Sequence, residues 1–582
     1  MWKDILQETY NNNKEGGLIP EIFPGSFPPP KSVAIAISAQ TCTSWHNKVT
    51  ISIDKRLSLV NYPADVSETS QSRVQPRNGL RNAREPAMTR RSIPDSSRSG
   101  KFSRTVLVLV LCFLPFSAIQ AQTPTHYEPT LESLNQHPLP RWYADAKLGI
   151  FVHWGLYSVP GWAPLVHPEH DFTAPDYIKN NPYAEWYLNV MRIDGSPTQT
   201  YHRERYGADY DYYNFAPTFD QEIKKWSPDA WAKTFHDAGA RYVVLTTKHH
   251  DGFTLWPSST PNPKLPPDRQ HATRDIVGEL TTAVNQQGLR MGLYYSGGYD
   301  WTFVPGPIKT AADYQTVKPQ SEAYGKYADA QFRELIQRYH PAVLWNDIDY
   351  PRSGHPLELM AEFYNAVPDG VIDDRFGVKH SDFKSPEYQV LDKISPTKWE
   401  ECRGLGRSFG YNRAEGEAET IAPDVLIYLL VDIVSKNGNL LLDVGPEADG
   451  TIPPVQMMRL QALGSWLGQN GEAIYGTHPW KTAEGTTSEG ILLRFTQTDS
   501  AVFATMLGKP KTDSITLKSL APKAGTLIYL LGEAKPLAWS QQGADTKITL
   551  PRILPGQYAY VLKIAGPLSM VLSDSASSET RH

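Results

Sequence analysis

The chain has 582 residues, 40% of them hydrophobic and 11% aromatic, with a formal net charge of -5 at neutral pH. Such a length supports a large core and more than one domain, and the near-neutral balance argues against nucleic acid or an anionic membrane surface as partner. Fifteen Trp and thirty Tyr supply flat, amphipathic rings, which fill a large core and also stack on sugar faces.

Residues 1–87 are rich in Pro, Asn and Ser and show little periodicity; they read as disordered or as preceding the true start at Met88. The apolar run "TVLVLVLCFLPFSAIQA" (105–121) follows Arg90, Arg91, Arg98, Lys101 and Arg104 and closes on Ala121, the layout of a secretory signal over 88–121. It is short for a membrane span and contains Pro115; a retained anchor is the alternative. Of Cys42, Cys112 and Cys402, only Cys402 would survive cleavage, and the chain has no Asn-X-Ser/Thr acceptor. An exported chain without disulfides or acceptors points to a bacterial periplasmic or extracellular location, with no membrane attachment after cleavage.

From Lys147 a unit recurs in which an apolar strand ends in polar or aromatic residues and an amphipathic helix follows. The strands are "KLGIFVHWG" (147–155), "ARYVVLTTKHHDGF" (240–253), "LRMGLYYSGG" (289–298), "AVLWND" (342–347), "GVIDDRFG" (370–377), one near "PEYQVL" (386–391), one near "KWEECRGLG" (398–406) and "NLLLDVGP" (439–446). Apolar strands alternating with helices imply a parallel sheet buried on both faces, and about eight units predict an α/β fold, a (β/α)₈-like TIM barrel over 122–479. After the helix "PVQMMRLQALGSWLGQNG", short alternating runs separated by Gly, Pro and Ser predict a C-terminal antiparallel β-sandwich over 480–568, with a flexible tail at 569–582.

In such a barrel the active site lies at the C-terminal strand ends. There Asp347 shares a strand face with Trp345, while Asp349 falls in the loop; a structural Asp, capping a helix or pairing with an Arg, is the competing account. His249 and His250 end one strand and His153 another. On an extended strand the adjacent pair faces opposite sides, which suits hydroxyl binding better than one metal, although a three-imidazole site stays open. Tyr294 points inward with Gly292 and Ser296. Glu185 and Trp186 sit in a long loop, where Trp186 packs the loop or stacks on a ligand. Arg375 could orient a carboxylate, and Glu387 is a surface Glu or an active one. Two carboxylates from different strands flanking a polar cleft are what glycosidic cleavage requires.

The strings "KLGIFVHWG", "EWY", "YNFAPTFD", "YVVLTTKHHDGFTLWPS", "GLYYSGGYDW", "VLWNDIDYP", "DDRFGV", "SFGYNR", "SKNGNLLLDVGPEADGTIPP" and "NGEAIYGT" together resemble glycoside hydrolase family 29, the α-L-fucosidases, from about residue 141 to 480. The resemblance implies an exo-acting, retaining enzyme that removes terminal α-L-fucose from oligosaccharides or glycoconjugates, without metal or organic cofactor. It makes Asp347 the nucleophile and Glu387 the acid/base, with Glu400 and Glu401 as rivals for the latter. His153, Glu185, Trp186, His249, His250, Tyr294, Trp345, Arg375 and Phe409 become the sugar-binding set. The alternatives are a metal-dependent hydrolase using His153, His249, His250 and Asp347, and a non-catalytic sugar-binding protein. Linkage preference and homo-oligomer formation stay open.

Overall fold

The computed structural model describes residues 126–165 and 176–566. The expected signal at 88–121, residues 1–87 and the expected tail lie outside the described residues.

Seven parallel strands form the central sheet: β1 (Leu148–Val152), β2 (Tyr242–Lys248), β3 (Arg290–Ser296), β4 (Val343–Asp347), β5 (Val371–Ile372), β6 (Trp399–Gly404) and β7 (Gly438–Val444). Their order is β5-β4-β3-β2-β1-β7-β6, so each successive βα unit adds to one edge until the chain crosses to the other side of β1. The register pairs Tyr294 with Trp345 and Ser296 with Asp347. Inward positions carry Phe151, Tyr242, Val244, Tyr294, Val343, Trp345, Cys402 and Leu441, which pack together as the barrel interior. The alternate positions, such as Ile150, Val243, Leu293 and Leu344, pack into the larger helix-facing core. Rings this large crowd the interior: a Cβ on Gly149 would stand 2.4 Å from the Tyr242 ring.

The outer helices follow from local rules. Ser321 caps the helix Glu322–Tyr339 through the Tyr324 N–H, and Tyr324, Ala328, Phe332, Leu335 and Ile336 form its buried stripe at three- and four-residue spacing.

The strand expected near 386–391 is not regular, and the one expected over 370–377 shortens to Val371–Ile372. The chain between them runs through bends and isolated bridges. The Asp382 N–H donates to Ile372 O at 2.9 Å, while Lys384 and Glu387 form isolated parallel bridges with Trp399 and Cys402 of β6. This segment therefore spans the gap between the sheet's two edges in the eighth position. Two residues keep it from becoming a strand: Pro386 has no N–H to donate, and Tyr388 sits at φ 52°.

Beyond the helix Pro454–Asn470, β8 (His478–Thr486), β9 (Leu492–Gln497), β10 (Ala501–Met506), β12 (Leu527–Leu530) and β15 (Tyr560–Ala565) make a five-stranded antiparallel sheet. A three-stranded antiparallel sheet of β11 (Ser514–Leu517), β13 (Trp539–Gln542) and β14 (Asp545–Thr549) accompanies it. Ile515, Leu517 and Ile548 of the small sheet share one apolar core with Val502, Ala504 and Leu562 of the large one. Asp432, on the barrel helix Pro423–Ser435, pairs with Arg494 of β9, and the Trp466 indole donates to Ala559 O at 2.9 Å. These contacts fix the sandwich against the barrel.

Candidate active site

The cleft is built around Asp347, the last residue of β4. The Tyr294 hydroxyl donates to its Oδ2 at 2.7 Å and Arg375 Nη1 donates to its Oδ1 at 2.8 Å. The backbone N–H of Ile348 also donates to Oδ1, at 2.9 Å. That last bond depends on an unusual turn: Ile348 and Asp349 have φ of 68° and 127°, which β-branched and other L-residues rarely adopt. The turn packs on Gly298, where a Cβ would meet the Ile348 carbonyl carbon at 2.8 Å. Asp349 itself pairs with Lys318 at 3.1 Å, away from Asp347.

Arg375 links this carboxylate to a second one. Its Nη2 lies 3.6 Å from Glu387 Oε2, and Ser385 accepts from both Nε and Nη2. Glu387 keeps 32% of its side chain open to the cleft. Its pKa is raised; burial is the largest cause, opposed by Arg375 and reinforced by the Asp347 charge. The guanidinium plane lies 4.5 Å from the Trp345 ring centroid, and Tyr294 stacks on the same ring at 5.5 Å.

The histidines complete one wall. His250 Nδ1 bonds Ser296 Oγ at 2.6 Å and its Nε2 lies 3.8 Å from Asp347 Oδ2. His153 Nδ1 bonds Asp443 Oδ1 at 2.7 Å. Burial lowers His153 to about 3 and His250 to about 4, so both are neutral at physiological pH. His249 is lowered as well, and its Nδ1 has no protein partner. The sequence placed His249 and His250 on opposite sides of a strand; instead their rings lie side by side, with centroids 4.0 Å apart. The reason is that β2 ends at Lys248, after a register shift between Thr246 and Lys248, and the pair rides on the turn that follows. Among the described residues, no group of three or more His, Cys, Asp or Glu is arranged to hold a metal ion. The metal-site alternative is not favoured.

Glu185 and Trp186 enter from the long loop after β1, on the short 3-10 turn Ala184–Trp186. Glu185 accepts from the Gly410 N–H at 2.7 Å and from Ser408 Oγ at 3.2 Å, and burial pushes it up to about 7. A Cβ on Gly410 would be tight, 3.0 Å from the Tyr157 ring and 3.2 Å from the Glu185 N. Trp186 packs edge-on to His250 at 5.6 Å, and Phe409 lies 5.0 Å from His153. These hydrogen bonds, ion pairs and ring contacts bring the eleven residues expected at the site into one neighbourhood around the strand ends.

The two rivals for the acid role lie elsewhere on β6. Glu400 points into the barrel floor, where Tyr143, Tyr242 and Trp345 donate to it. Glu401 is fully buried, neither of its oxygens has a protein partner, and it is pushed up to about 8 by burial.

Asn346 and Asp443 were not singled out from sequence. The Asn346 amide donates to Asp349 O at 2.9 Å and Arg375 O at 2.7 Å, clamping both loops that present the Asp347–Arg375 pair. Asp443 was recognisable in principle: it ends the apolar run of β7 as Asp347 ends that of β4.

An Alpha-L-fucosidase family model matches residues 115–472, and an Alpha-L-fucosidase C-terminal domain model matches 485–565. The chain is 35% identical to the tissue alpha-L-fucosidase of Rattus norvegicus over 462 residues, 76% of this chain and 93% of that one. It is 33% identical to the Homo sapiens tissue enzyme over 483 residues, 79% and 97% of the two chains. The Thermotoga maritima alpha-fucosidase in complex with a mechanism based inhibitor superposes with a TM-score of 0.70 at 43% identity, covering 76% of this chain and all of that one. With barrel, cleft and C-terminal sheets all accounted for, the chain belongs to the alpha-L-fucosidase family, glycoside hydrolase family 29.

Proposed function

We propose that Asp347 is the nucleophile and Glu387 the acid/base of this retaining exo-α-L-fucosidase. The observation that supports the pair is Arg375, whose two terminal nitrogens reach one carboxylate each. Two carboxylates held by one guanidinium suit the short carboxyl separation, about 5–5.5 Å, that direct attack and retention require.

In the first step Asp347 attacks the anomeric carbon of fucose while Glu387 gives its proton to the departing glycosidic oxygen. Electrostatics favour this division of labour. Arg375, Tyr294 and the Ile348 N–H all donate to the Asp347 oxygens, and the Asp347 charge adds to the burial that raises the Glu387 pKa. Once Asp347 is esterified that charge is gone, Glu387 becomes more acidic, and it is then fit to take a proton from the incoming water. His153, Glu185, Trp186, His249, His250 and Phe409 would grip the hydroxyls and methyl group of the sugar. Trp345 forms the floor beneath Arg375.

The substrate class is terminal α-L-fucose on an oligosaccharide or glycoconjugate. We further place the signal at 88–121, the catalytic barrel at 122–479 and the sandwich at 480–568, with export to a bacterial periplasm or medium. N-terminal sequencing of the natural product tests the export reading, which requires a mature start at Gln122. For the chemistry, an aryl α-L-fucoside should be turned over by wild type, not by Asp347→Gly, and again by Asp347→Gly in azide with fucosyl azide as product. Unchanged turnover in Asp347→Gly would remove the nucleophile assignment.

A further inference from the structure

Of the groups placed around the sugar, Glu400 is hydrogen-bonded to Trp345, and its surroundings are specific. It stands on β6 facing the barrel interior and is fully buried. Its Oε2 accepts the hydroxyls of Tyr143 and Tyr242, at 2.7 and 2.5 Å, and its Oε1 accepts the Trp345 indole N–H at 3.1 Å. Burial raises its pKa, and these three donors, with the Lys398 charge, oppose the shift. Two of these donors belong to the barrel floor; the third belongs to the sugar site.

What Trp345 carries gives that bond its consequence. The guanidinium of Arg375 lies 4.5 Å from one side of the ring system, Tyr294 stacks on it at 5.5 Å with 26° between planes, and Phe151 packs at 5.2 Å. Arg375 and Tyr294 are the side-chain donors to the two oxygens of Asp347. The plane of the indole therefore sets the position of both, and Glu400 is the partner of its N–H. A phenyl ring of similar packing would have no such anchor to the floor.

We propose that Glu400 is a positioning residue for the fucoside reaction, fixing the plane of Trp345 and, through it, the Arg375 and Tyr294 donors on Asp347. This rests on the reading of Asp347 as nucleophile. The competing account is that Glu400 only stabilises the barrel floor, and the two accounts separate in a double-mutant cycle.

Glu400→Gln, Trp345→Phe and the double variant are compared on an aryl α-L-fucoside, with Tyr143→Phe as control. Loss of one buried, charge-assisted hydrogen bond corresponds to roughly 10- to 100-fold. Glu400→Gln should lose about that factor in kcat at saturating fucoside, and lose almost nothing more once Trp345 is already Phe. Tyr143→Phe removes a donor from the same carboxylate far from the sugar; it should lower the Tm and keep kcat/KM within about twofold. Equal losses from Glu400→Gln in both backgrounds, or a Tyr143→Phe loss as large as that of Glu400→Gln, would overturn the proposal. If Glu400→Gln does not fold, benzothienylalanine at position 345 removes only the N–H: a kcat drop of about 10-fold or more supports the role, and unchanged kcat refutes it. Retained activity in Asp347→Gly would instead sink the nucleophile reading, a separate outcome.

Discussion

Glu185 offers a test whose magnitude follows from its surroundings. Its carboxyl is fully enclosed, accepts from Gly410 and Ser408, and is pushed from 4.5 up to about 7, with burial the largest cause. A carboxyl whose pKa is higher folded than unfolded binds its proton more tightly in the native state. Its contribution is therefore fully present below pH 4.5 and is lost as pH rises through about 7. At ~1.4 kcal/mol per pKa unit, the loss amounts to about 3 kcal/mol. Glutamine keeps the acceptor oxygen without the charge, so Glu185→Gln should match wild type near pH 4.5 and exceed it by about 3 kcal/mol above pH 8. Guanidinium unfolding of both proteins at half-unit steps between these limits reads the difference directly. Because only the difference is used, carboxyls that do not sense Glu185 cancel, while Asp443 and Glu415, which its charge raises, shift with it. A difference that stays constant across the range would refute the argument that burial of Glu185 dominates its protonation. The same substitution should raise KM for fucosides, which is the cost of removing a charge that serves the sugar rather than the fold.

Three further outcomes follow from the same geometry. Glu387→Ala should lower kcat/KM for fucosides with sugar leaving groups by about 10²- to 10⁴-fold, yet hardly touch kcat/KM for fucosyl fluoride, whose leaving group needs no proton, while kcat on the fluoride falls for want of a base in the second step; equal losses of kcat/KM on both would remove Glu387 from the acid role. Asn346→Ala frees the backbone carbonyls of Asp349 and Arg375, and kcat should fall roughly 10- to 100-fold with little change in KM, since misplacement of the reacting groups is the damage. Glu401→Gln should keep kcat/KM within about twofold. Because its carboxyl is pushed from 4.5 to about 8, the variant should also be the more stable protein at pH 9, an advantage that vanishes by pH 4.5.

Much of the site was legible because the fold concentrates it at strand ends. Asp347, Tyr294 and Trp345 followed from a two-residue alternation on strands whose interiors were plainly apolar. Glu185 and Trp186 stood out as a carboxylate beside a ring in a long loop but gained a role only through the family motifs, and Phe409 came through those motifs alone, because loops carry no periodicity that would aim a side chain. The adjacent histidines were misread for a definite reason: alternation holds only while the strand continues, and β2 stops one residue before them. The segment around Glu387 was misread as a strand because its apolar residues resemble one, while Pro386 and the left-handed Tyr388 break the ladder. Asn346 stayed hidden, since an amide that clamps two backbone carbonyls leaves no pattern in the chain that contains it.

The account stands most directly on covalent capture. Wild type treated with 2-deoxy-2-fluoro-fucosyl fluoride, then digested and analysed by peptide mass spectrometry, should carry one fluorofucosyl group on the peptide containing "VLWNDIDYP". Fragmentation should place it on Asp347. A label on Asp349 or on any other carboxylate, or inactivation without any covalent label, would contradict the account.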